Sequence, residues 1–166
     1  MEIENKVAKS GLIQLDLADF KPTIEIVEID IAAQLWEGLI LKEKDFRTWI
    51  GSNDWTMYDD KAVCVYCSVD AIIPTWAYML VASKLIGKAH TIEIGNRIEL
   101  EKTLIKNAIQ SLDLNQFNEG KIIIKGCSDI ASPSFAMVEL MKLLQPIVKS
   151  IMYGEPCSTV PIYKRK

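Results

Sequence analysis

Short apolar runs that alternate with helical patterns dominate the chain after Lys61 and restrict the folds available to it. The runs that indicate strands are AVCVYC, HTIEIG, KIIIKG and SIMYG. The helical patterns between them are PTWAYMLVASKL, ELEKTLIKNAIQSL and SPSFAMVELMKLL. Strands that alternate with helices are typical of βαβ units and of parallel strand pairing. We therefore expect an α/β fold with a mainly parallel sheet.

Two segments of this pattern, residues 61–96 and 121–156, match each other. In both, a strand is followed by a Cys-Ser pair, a loop, a helix that starts near a proline, a second strand and a glycine. Cys67 and Cys127 occupy equivalent places in this alignment. The match predicts an internal repeat of two βαβ units.

The length of 166 residues favours one domain over residues 1–166. Within it, residues 1–60 are predicted to form an N-terminal extension of strands and helices. GLIQLDL and TIEIVEIDI alternate as strands do, DIAAQLWEGLI indicates a helix capped by Asp30, and DFRTWIG indicates a second, short helix. The loop SNDWTMYDDK is expected to be pinned to the core by Trp55 and Tyr58.

Composition excludes several classes of partner. The net charge is −3 and no basic stripe is present, which argues against nucleic acid. No apolar run approaches the roughly 20 residues that span a bilayer, so no membrane association is expected. The first residues lack the apolar segment of a signal peptide, and we expect a cytoplasmic protein with reduced cysteines.

The string CVYC has the spacing of a redox or metal-binding CxxC, but it lies in a predicted strand. Side chains three residues apart in a strand point to opposite faces, so Cys64 and Cys67 are not expected to meet. Cys64 aligns with Ile124 in the repeat, which predicts a buried position without contact to the sulfur of Cys67.

The two cysteines at equivalent places in the repeat, Cys67 and Cys127, are a better candidate for a shared site than the two cysteines of the CxxC string. Cys67 and Cys127 each follow a predicted parallel strand, where α/β proteins place their ligands, and Cys157 follows the last strand. If the first two strands are neighbours, about 4.8 Å apart, their sulfurs can share one metal ion. Thiolates select soft metals, here zinc or an iron–sulfur species. The predicted ligands and supporting carboxylates are Cys67, Cys127, Cys157, Asp70, Asp129 and Glu155.

Plainer interpretations stay open at this point. The cysteines can be core filler, and Asp70 and Asp129 can cap helices. The chain would then be a non-catalytic module, with Trp36 and Trp49 on a homodimer or partner surface. An enzyme with a pocket beside Trp76 is a third possibility, which the presence of a single histidine disfavours. The reaction, if any, is not specified by the sequence.

The strings LWEGLILKEKDFR, CSVDAIIPTWAYML, IKGCSD and KSIMYGEPCSTVPIYKR closely resemble a bacterial family called domain of unknown function 2480. The resemblance covers nearly the whole chain. It implies no activity, substrate or catalytic residue, because none is established for the family. It does imply one association: genes of this family often lie near those for iron–sulfur cluster assembly, so iron–sulfur assembly proteins are candidate partners.

Overall fold

A computed structural model describes residues 11–126 and 129–166. Strands and helices alternate over most of this length, as the sequence predicts. The strands are β1 Leu12–Asp16, β2 Ile26–Asp30, β3 Ala62–Tyr66, β4 Thr91–Ile94, β5 Lys121–Lys125, β6 Ser150–Glu155 and β7 Ser158–Lys164. The α-helices are α1 Glu43–Ser52, α2 Thr75–Leu85, α3 Arg97–Gln110 and α4 Pro133–Leu144.

The described residues divide into two compact units, each with its own sheet and core. The central unit is Thr23–Thr103, and the terminal unit comprises residues 11–22 and Leu104–Lys166. The chain thus leaves the terminal unit after its first strand and returns to it within α3. The assignment of residues 1–166 to one domain stays a prediction.

The sheet of the central unit is fully parallel, in the order β2-β3-β4. One face carries the valines and isoleucines that pair across the strands, such as Val63 and Val65, and it packs against α1 and α2. Phe46 of α1 and Ala77 of α2 are fully buried in this core. The tryptophan of the loop after α1, Trp55, is also buried and donates a hydrogen bond to the carbonyl of Ile50 at 2.9 Å.

The sheet of the terminal unit has the order β1-β5-β6-β7. Its first three strands are parallel, and β7 pairs antiparallel with β6. Ile122 and Ile124 of β5 are buried against α4, whose Ala136 and Leu140 have no exposed surface. Pro133 begins α4, where the missing amide hydrogen of proline costs no hydrogen bond.

The strands pair mainly in parallel, as predicted, but the prediction of a single sheet is wrong, because the strands form two sheets. The strands that precede Cys67 and Cys127 belong to different sheets: β3 lies between β2 and β4, and β5 lies between β1 and β6. The N-terminal extension contributes one strand to each sheet. Its two strands are therefore integral parts of the sheets, since each pairs with the first strand of one of the predicted repeat segments.

Each predicted strand–helix–strand segment is present, with α2 between β3 and β4 and α4 between β5 and β6. The two strands of each segment pair in parallel. The α/β class is confirmed, while the equivalence of the two segments as a repeat stays a prediction.

The predicted helix over DIAAQLWEGLI is also wrong. Asp30 caps a single 3-10 turn, Ile31–Gln34, and the chain then forms a tight hairpin in which Trp36 and Ile40 are bridged. The hairpin tip needs two consecutive residues with positive φ, 52° at Glu37 and 69° at Gly38. Glycine adopts this conformation at little cost, which explains why the helical pattern is broken there.

Candidate functional site

At the carboxyl end of the central sheet, the helices that follow β3 and β4 leave toward opposite faces of the sheet. The helix after β3, α2, packs on the face that carries Val63 and Val65. Glu93 of β4 points to the opposite face, and its carboxylate accepts a hydrogen bond from the hydroxyl of Thr103 in α3. The helices that follow two adjacent parallel strands therefore lie on opposite faces. In open α/β sheets, ligands bind in the crevice that such a divergence creates.

A groove of about 540 Å³ lies at the carboxyl ends of β3 and β4. Its floor is formed by the ends of the two strands, including Val65 and Ile94, and one wall is the loop of residues 67–73. Tyr78 of α2 lies on the same side as this loop. Ile72 at the rim is 92 % exposed, an unusual position for a large apolar side chain. The groove thus combines an apolar rim with polar groups further in.

Asp30 holds the start of the groove loop in place. Its Oδ1 accepts hydrogen bonds from the backbone amides of Ala32 at 2.9 Å and of Ser68 at 3.0 Å. Burial alone would raise the pKa of Asp30, but the hydrogen bonds from the Ser68 side chain and from both amides outweigh it and lower the pKa. The carboxylate is therefore ionised near neutral pH.

The groove contains one thiol and two phenols. The thiol of Cys67 is half-buried and donates a hydrogen bond to the carbonyl of Val69 at 3.4 Å. Burial raises the pKa of Tyr78, and the nearby Cys67 adds to this effect. Burial and the carboxylate of Asp30 likewise raise the pKa of Tyr66. Both phenols remain protonated at physiological pH and are able to donate hydrogen bonds to a ligand.

The amino terminus of α3 closes the other end of the groove with a capping box. Oδ1 of Asn96 accepts hydrogen bonds from the amides of Ile98 and Glu99 at 2.9 and 3.2 Å, and Oε2 of Glu99 accepts one from the amide of Asn96 at 2.7 Å. Gly95 permits this arrangement, because a Cβ at that position would lie 2.1 Å from Oε2 of Glu99. The amides are occupied and a carboxylate stands beside them, so this end of the groove disfavours an anion.

The predicted cysteine ligands are distributed over both units. Cys67 belongs to the central unit, and Cys157 is exposed in the turn between β6 and β7 of the terminal unit. Cys127 lies outside the described residues. In residues 11–126 and 129–166, no three His, Cys, Asp or Glu side chains are arranged to hold a metal ion. The neighbouring-strand geometry behind the metal hypothesis is wrong, and the ligand set itself stays a prediction.

Two of the three predicted supporting carboxylates are paired with lysines. Asp129 forms a salt bridge with Lys21, whose hydrogen bond lowers the pKa of that carboxyl. Glu155 lies 3.2 Å from the ammonium group of Lys125. Asp70 is exposed in the groove loop. These pairings give Asp129 and Glu155 structural partners that the sequence pattern did not indicate.

Cys64 is fully buried, as predicted, and points to the face of β3 opposite that of Val63 and Val65. Its thiol is free, and its Sγ lies 3.9 Å from both the Val27 carbonyl and Oε1 of Glu28. Trp76 packs edge-on against Phe46 with 5.9 Å between ring centroids, a structural role outside the groove. The two cysteines of the CxxC string therefore lie in different environments: Cys64 is in the core, and Cys67 lines the groove.

Sequence reasoning missed most of the groove residues. Tyr78 and Gly95 carry no motif of their own. Asn96 and Glu99 do, because Asn followed three residues later by Glu at the start of a helix is the pattern of a capping box. The end of the predicted strand HTIEIG, together with the capping-box pattern NRIE that follows it, would have indicated the wall of the groove that the start of α3 forms.

The fold and the groove define an α/β protein with an open groove at the carboxyl edge of a parallel sheet. The chain belongs to the family described as protein of unknown function (DUF2480), whose family model matches residues 1–165. No curated protein and no solved structure matches the chain. Among the described residues, no helix has the length and apolar character needed to cross a membrane.

Proposed function

We propose that the chain is a binding module whose site is the groove at the ends of β3 and β4. The observation that carries this proposal is the position of the groove at the carboxyl ends of two adjacent parallel strands, whose following helices lie on opposite faces of the sheet. Its volume of about 540 Å³ falls within the range of small-molecule sites, about 300 to 1,000 Å³. A small organic ligand fits this concave shape better than a flat protein surface does.

The charges around the groove select the ligand class. Glu99 stands at one end, and Asp30 and Asp70 lie near the loop on the other side. The protonated phenols of Tyr66 and Tyr78 offer hydrogen bonds, and the apolar rim offers contact area. A neutral or cationic molecule with an apolar body matches these features, whereas an anion meets a carboxylate at the α3 end.

Three probes with one ring system and different charge test this proposal: indole-3-acetamide, tryptamine and indole-3-acetate. Ligand-observed NMR should detect binding of the neutral and cationic probes, with dissociation constants of about 1 mM or below for such small molecules. The anionic probe should bind at least about tenfold more weakly. Equal binding of all three, or of none, would contradict the proposed site.

A matched pair of variants locates the binding. Ala71→Trp places a large side chain in the groove wall and should abolish the signal. Met79→Trp adds the same side chain at an exposed position of α2, 67 % exposed, and should leave it unchanged. Binding that survives Ala71→Trp would place the probes elsewhere.

Soft-metal or sulfur handling is a second candidate. It is favoured by the thiol of Cys67, which is partly exposed inside the groove instead of being buried like Cys64. In this proposal Cys67, Cys127 and Cys157 bind zinc or an iron–sulfur species, with Asp70, Asp129 and Glu155 in support, and iron–sulfur assembly proteins are the partners.

Metal analysis of protein purified without oxygen and without chelators tests this candidate. Replacing any of the three cysteines by Ser should reduce metal content strongly, because a hydroxyl is a poor ligand for a soft metal. Cys64→Ser, on the other face of β3, should have no such effect. A metal-free native protein would eliminate the candidate.

We also propose that the hairpin of residues 36–40, which follows the 3-10 turn Ile31–Gln34, is an interface with a second copy of the chain or with a protein partner. Its apolar side chains are exposed, with Trp36 at 45 %, Leu39 at 64 % and Ile40 at 54 %. Trp49, the other tryptophan predicted for this surface, packs instead on Phe46 at 5.2 Å between ring centroids. Sedimentation of the native chain and of Leu39→Lys distinguishes a monomer from a dimer held by this hairpin.

We also propose that the two units carry equivalent repeats. In support, each unit has a strand followed by a 3-10 turn capped by an aspartate, Asp16 in one and Asp30 in the other. Each also has an aspartate-capped turn before its second strand, at Asp113 and Asp54. An experimental structure tests the proposal by superposing residues 61–96 on 121–156, and helices with unrelated axes would contradict it.

A further inference from the structure

The amino-terminal edge of the sheet in the terminal unit gathers basic residues from three separate segments. They surround a pocket of about 320 Å³ together with one carboxylate and one hydroxyl. The residues are Lys121, Lys149, Lys164, Arg165, Lys166, Glu119 and Ser150. The chain as a whole has a net charge of −3, so this cluster contrasts with the rest of the molecule.

Strand register brings the central members of the cluster into one row. Lys121 of β5 pairs with Ser150 of β6, and Ser150 pairs with Lys164 of β7. Residues in register on neighbouring strands project to the same face, about 4.8 Å from one strand to the next. Two lysines therefore flank one serine side chain on a single face of the sheet.

The backbone around this row is fixed by hydrogen bonds. The amide of Lys149 donates to the carbonyl of Gly120 at 2.8 Å, and the amide of Arg165 donates to the carbonyl of Lys149 at 2.9 Å. The guanidinium of Arg165 is held by Glu119 and by the carbonyl of Pro146. The backbone that carries the cluster is therefore ordered before a ligand binds, which reduces the entropy cost of binding.

The positive charges of the pocket are only partly compensated. Glu119, the carboxylate in the wall, is committed to Arg165. The ammonium groups of Lys121, Lys149 and Lys164 form no salt bridge with any residue in the described part of the chain. The three lysines line the same pocket, and a bound anion with several negative charges would offset their positive charge.

We propose that this pocket binds a phosphate-bearing anion, either a free phosphate compound or a phosphoryl group on a lipid headgroup. A phosphoryl group offers several acceptor oxygens and more than one negative charge, which suits lysine point charges and a serine hydroxyl that converge from different sides. Nucleic acid is a poorer fit, because one short concave cluster does not follow a phosphate backbone over several nucleotides.

Calorimetric titration with pyrophosphate tests the proposal on the full chain. Binding should be measurable at low salt and weaken at physiological salt, since exposed charges are screened. Replacing both Lys121 and Lys164 by Gln should weaken it by at least about tenfold. Replacing both Lys44 and Lys84 by Gln, which removes the same two charges from exposed positions of α1 and α2 in the central unit, should change it by less than about twofold. Equal affinity in all variants would overturn the proposal.

Binding experiments with other ligands identify the source of the phosphate group and test whether the pocket binds a different class of ligand. Pyrophosphate binding supports a free compound, and binding only to vesicles that contain a phosphoinositide, with none to pure phosphatidylcholine vesicles, supports a lipid headgroup. Absence of both would overturn the proposal. Citrate binding as tightly as pyrophosphate would show a general anion surface, and a single-stranded oligonucleotide binding more tightly than either would show a nucleic-acid site. Both results contradict the assignment to phosphate.

Discussion

The carboxylate of Asp30 accepts a hydrogen bond from the backbone amide of Ser68, 38 residues later, with 3.0 Å between oxygen and nitrogen. The same oxygen caps the 3-10 turn after β2 through the amide of Ala32. One side chain thus terminates a strand and fixes the loop that forms a wall of the groove. The shape of the groove depends on this residue, although Asp30 itself is not among its lining residues.

Asp30→Ala should reduce the free energy of unfolding by about 2 to 3 kcal/mol, since it removes a cap and a long-range hydrogen bond to a charged group. Asp54→Ala is the matched control, because Asp54 caps the 3-10 turn Trp55–Tyr58 and, among the described residues, accepts hydrogen bonds only from the nearby Thr56. The control should lose about 1 kcal/mol. Urea unfolding measures both, and equal losses would show that the bond to Ser68 contributes little.

The contribution of Asp30 should disappear in acid. Its pKa in the folded chain is below the ordinary value of 3.8, so the unfolded chain takes up the proton first as the pH falls. Stability from this group is present above about pH 4 and is lost as the pH decreases through the folded pKa. The difference in unfolding free energy between the native chain and Asp30→Asn should therefore shrink from pH 6 to about pH 3. A constant difference would contradict the lowered pKa.

Cys64 should make the chain less stable in alkaline solution. Burial, followed by the carboxylate of Glu28, raises the pKa of the thiol from 9.0 to about 11. Between these values the unfolded chain loses the proton while the folded chain keeps it, so stability falls as the pH rises.

Cys64→Val should remove this part of the pH dependence, whereas Cys67→Ala should retain it. Denaturant unfolding at pH 8 and about pH 10 provides the comparison, with the other titrating groups common to all variants. The same alkaline slope in Cys64→Val and in the native chain would assign the loss to those other groups.

Gly95→Ala should destabilise the central unit and disturb the groove. The glycine has φ of 144°, and a methyl group there would collide with the carboxylate that closes the capping box. The loss of the box and the backbone strain together should cost about 2 to 4 kcal/mol.

Gly51→Ala is the control for this substitution. Gly51 lies within α1, and a methyl group added there would meet no other atom within 4 Å, so alanine should stabilise the chain by up to about 1 kcal/mol. Thermal unfolding distinguishes the expected destabilisation by Gly95→Ala from the expected stabilisation by Gly51→Ala. A neutral Gly95→Ala would mean that Glu99 moves away freely and the capping box contributes little.

Local patterns in the sequence predicted most of the helices and strands, but they did not predict which strands pair with each other across the two sheets. Every strand from β1 to β6 was expected, because alternation and apolar runs depend only on neighbouring residues. The choice between one sheet and two depends on which strands pair across long stretches of chain, and single apolar runs such as those of β3 and β5 look alike. The parallel pairing within each βαβ segment was predictable because the connecting helix enforces it.

The strand β7 was missed for a related reason. Its sequence STVPIYK contains Pro161, which cannot donate a ladder hydrogen bond and argues against a central strand. Proline is tolerated at a sheet edge, and β7 pairs only with β6 in the described sheet, with a register irregularity beside the proline. The basic residues at the end of β7 and after it carry no local pattern that links them to Lys121 and Lys149, because those lysines come from distant positions in the chain.

The terminal unit is formed by two chain segments that are separated by the whole central unit, and this has a consequence for synthesis on the ribosome. The first strand emerges early, but its partner β5 follows only after all of Thr23–Thr103 has been made. The central unit has its complete set of strands by then and is able to fold while β1 still has an open edge. Such a strand is exposed to wrong partners until the second half of the chain arrives. Slower elongation after Thr103 should therefore lower the yield of native protein more than slower elongation near the end of the chain.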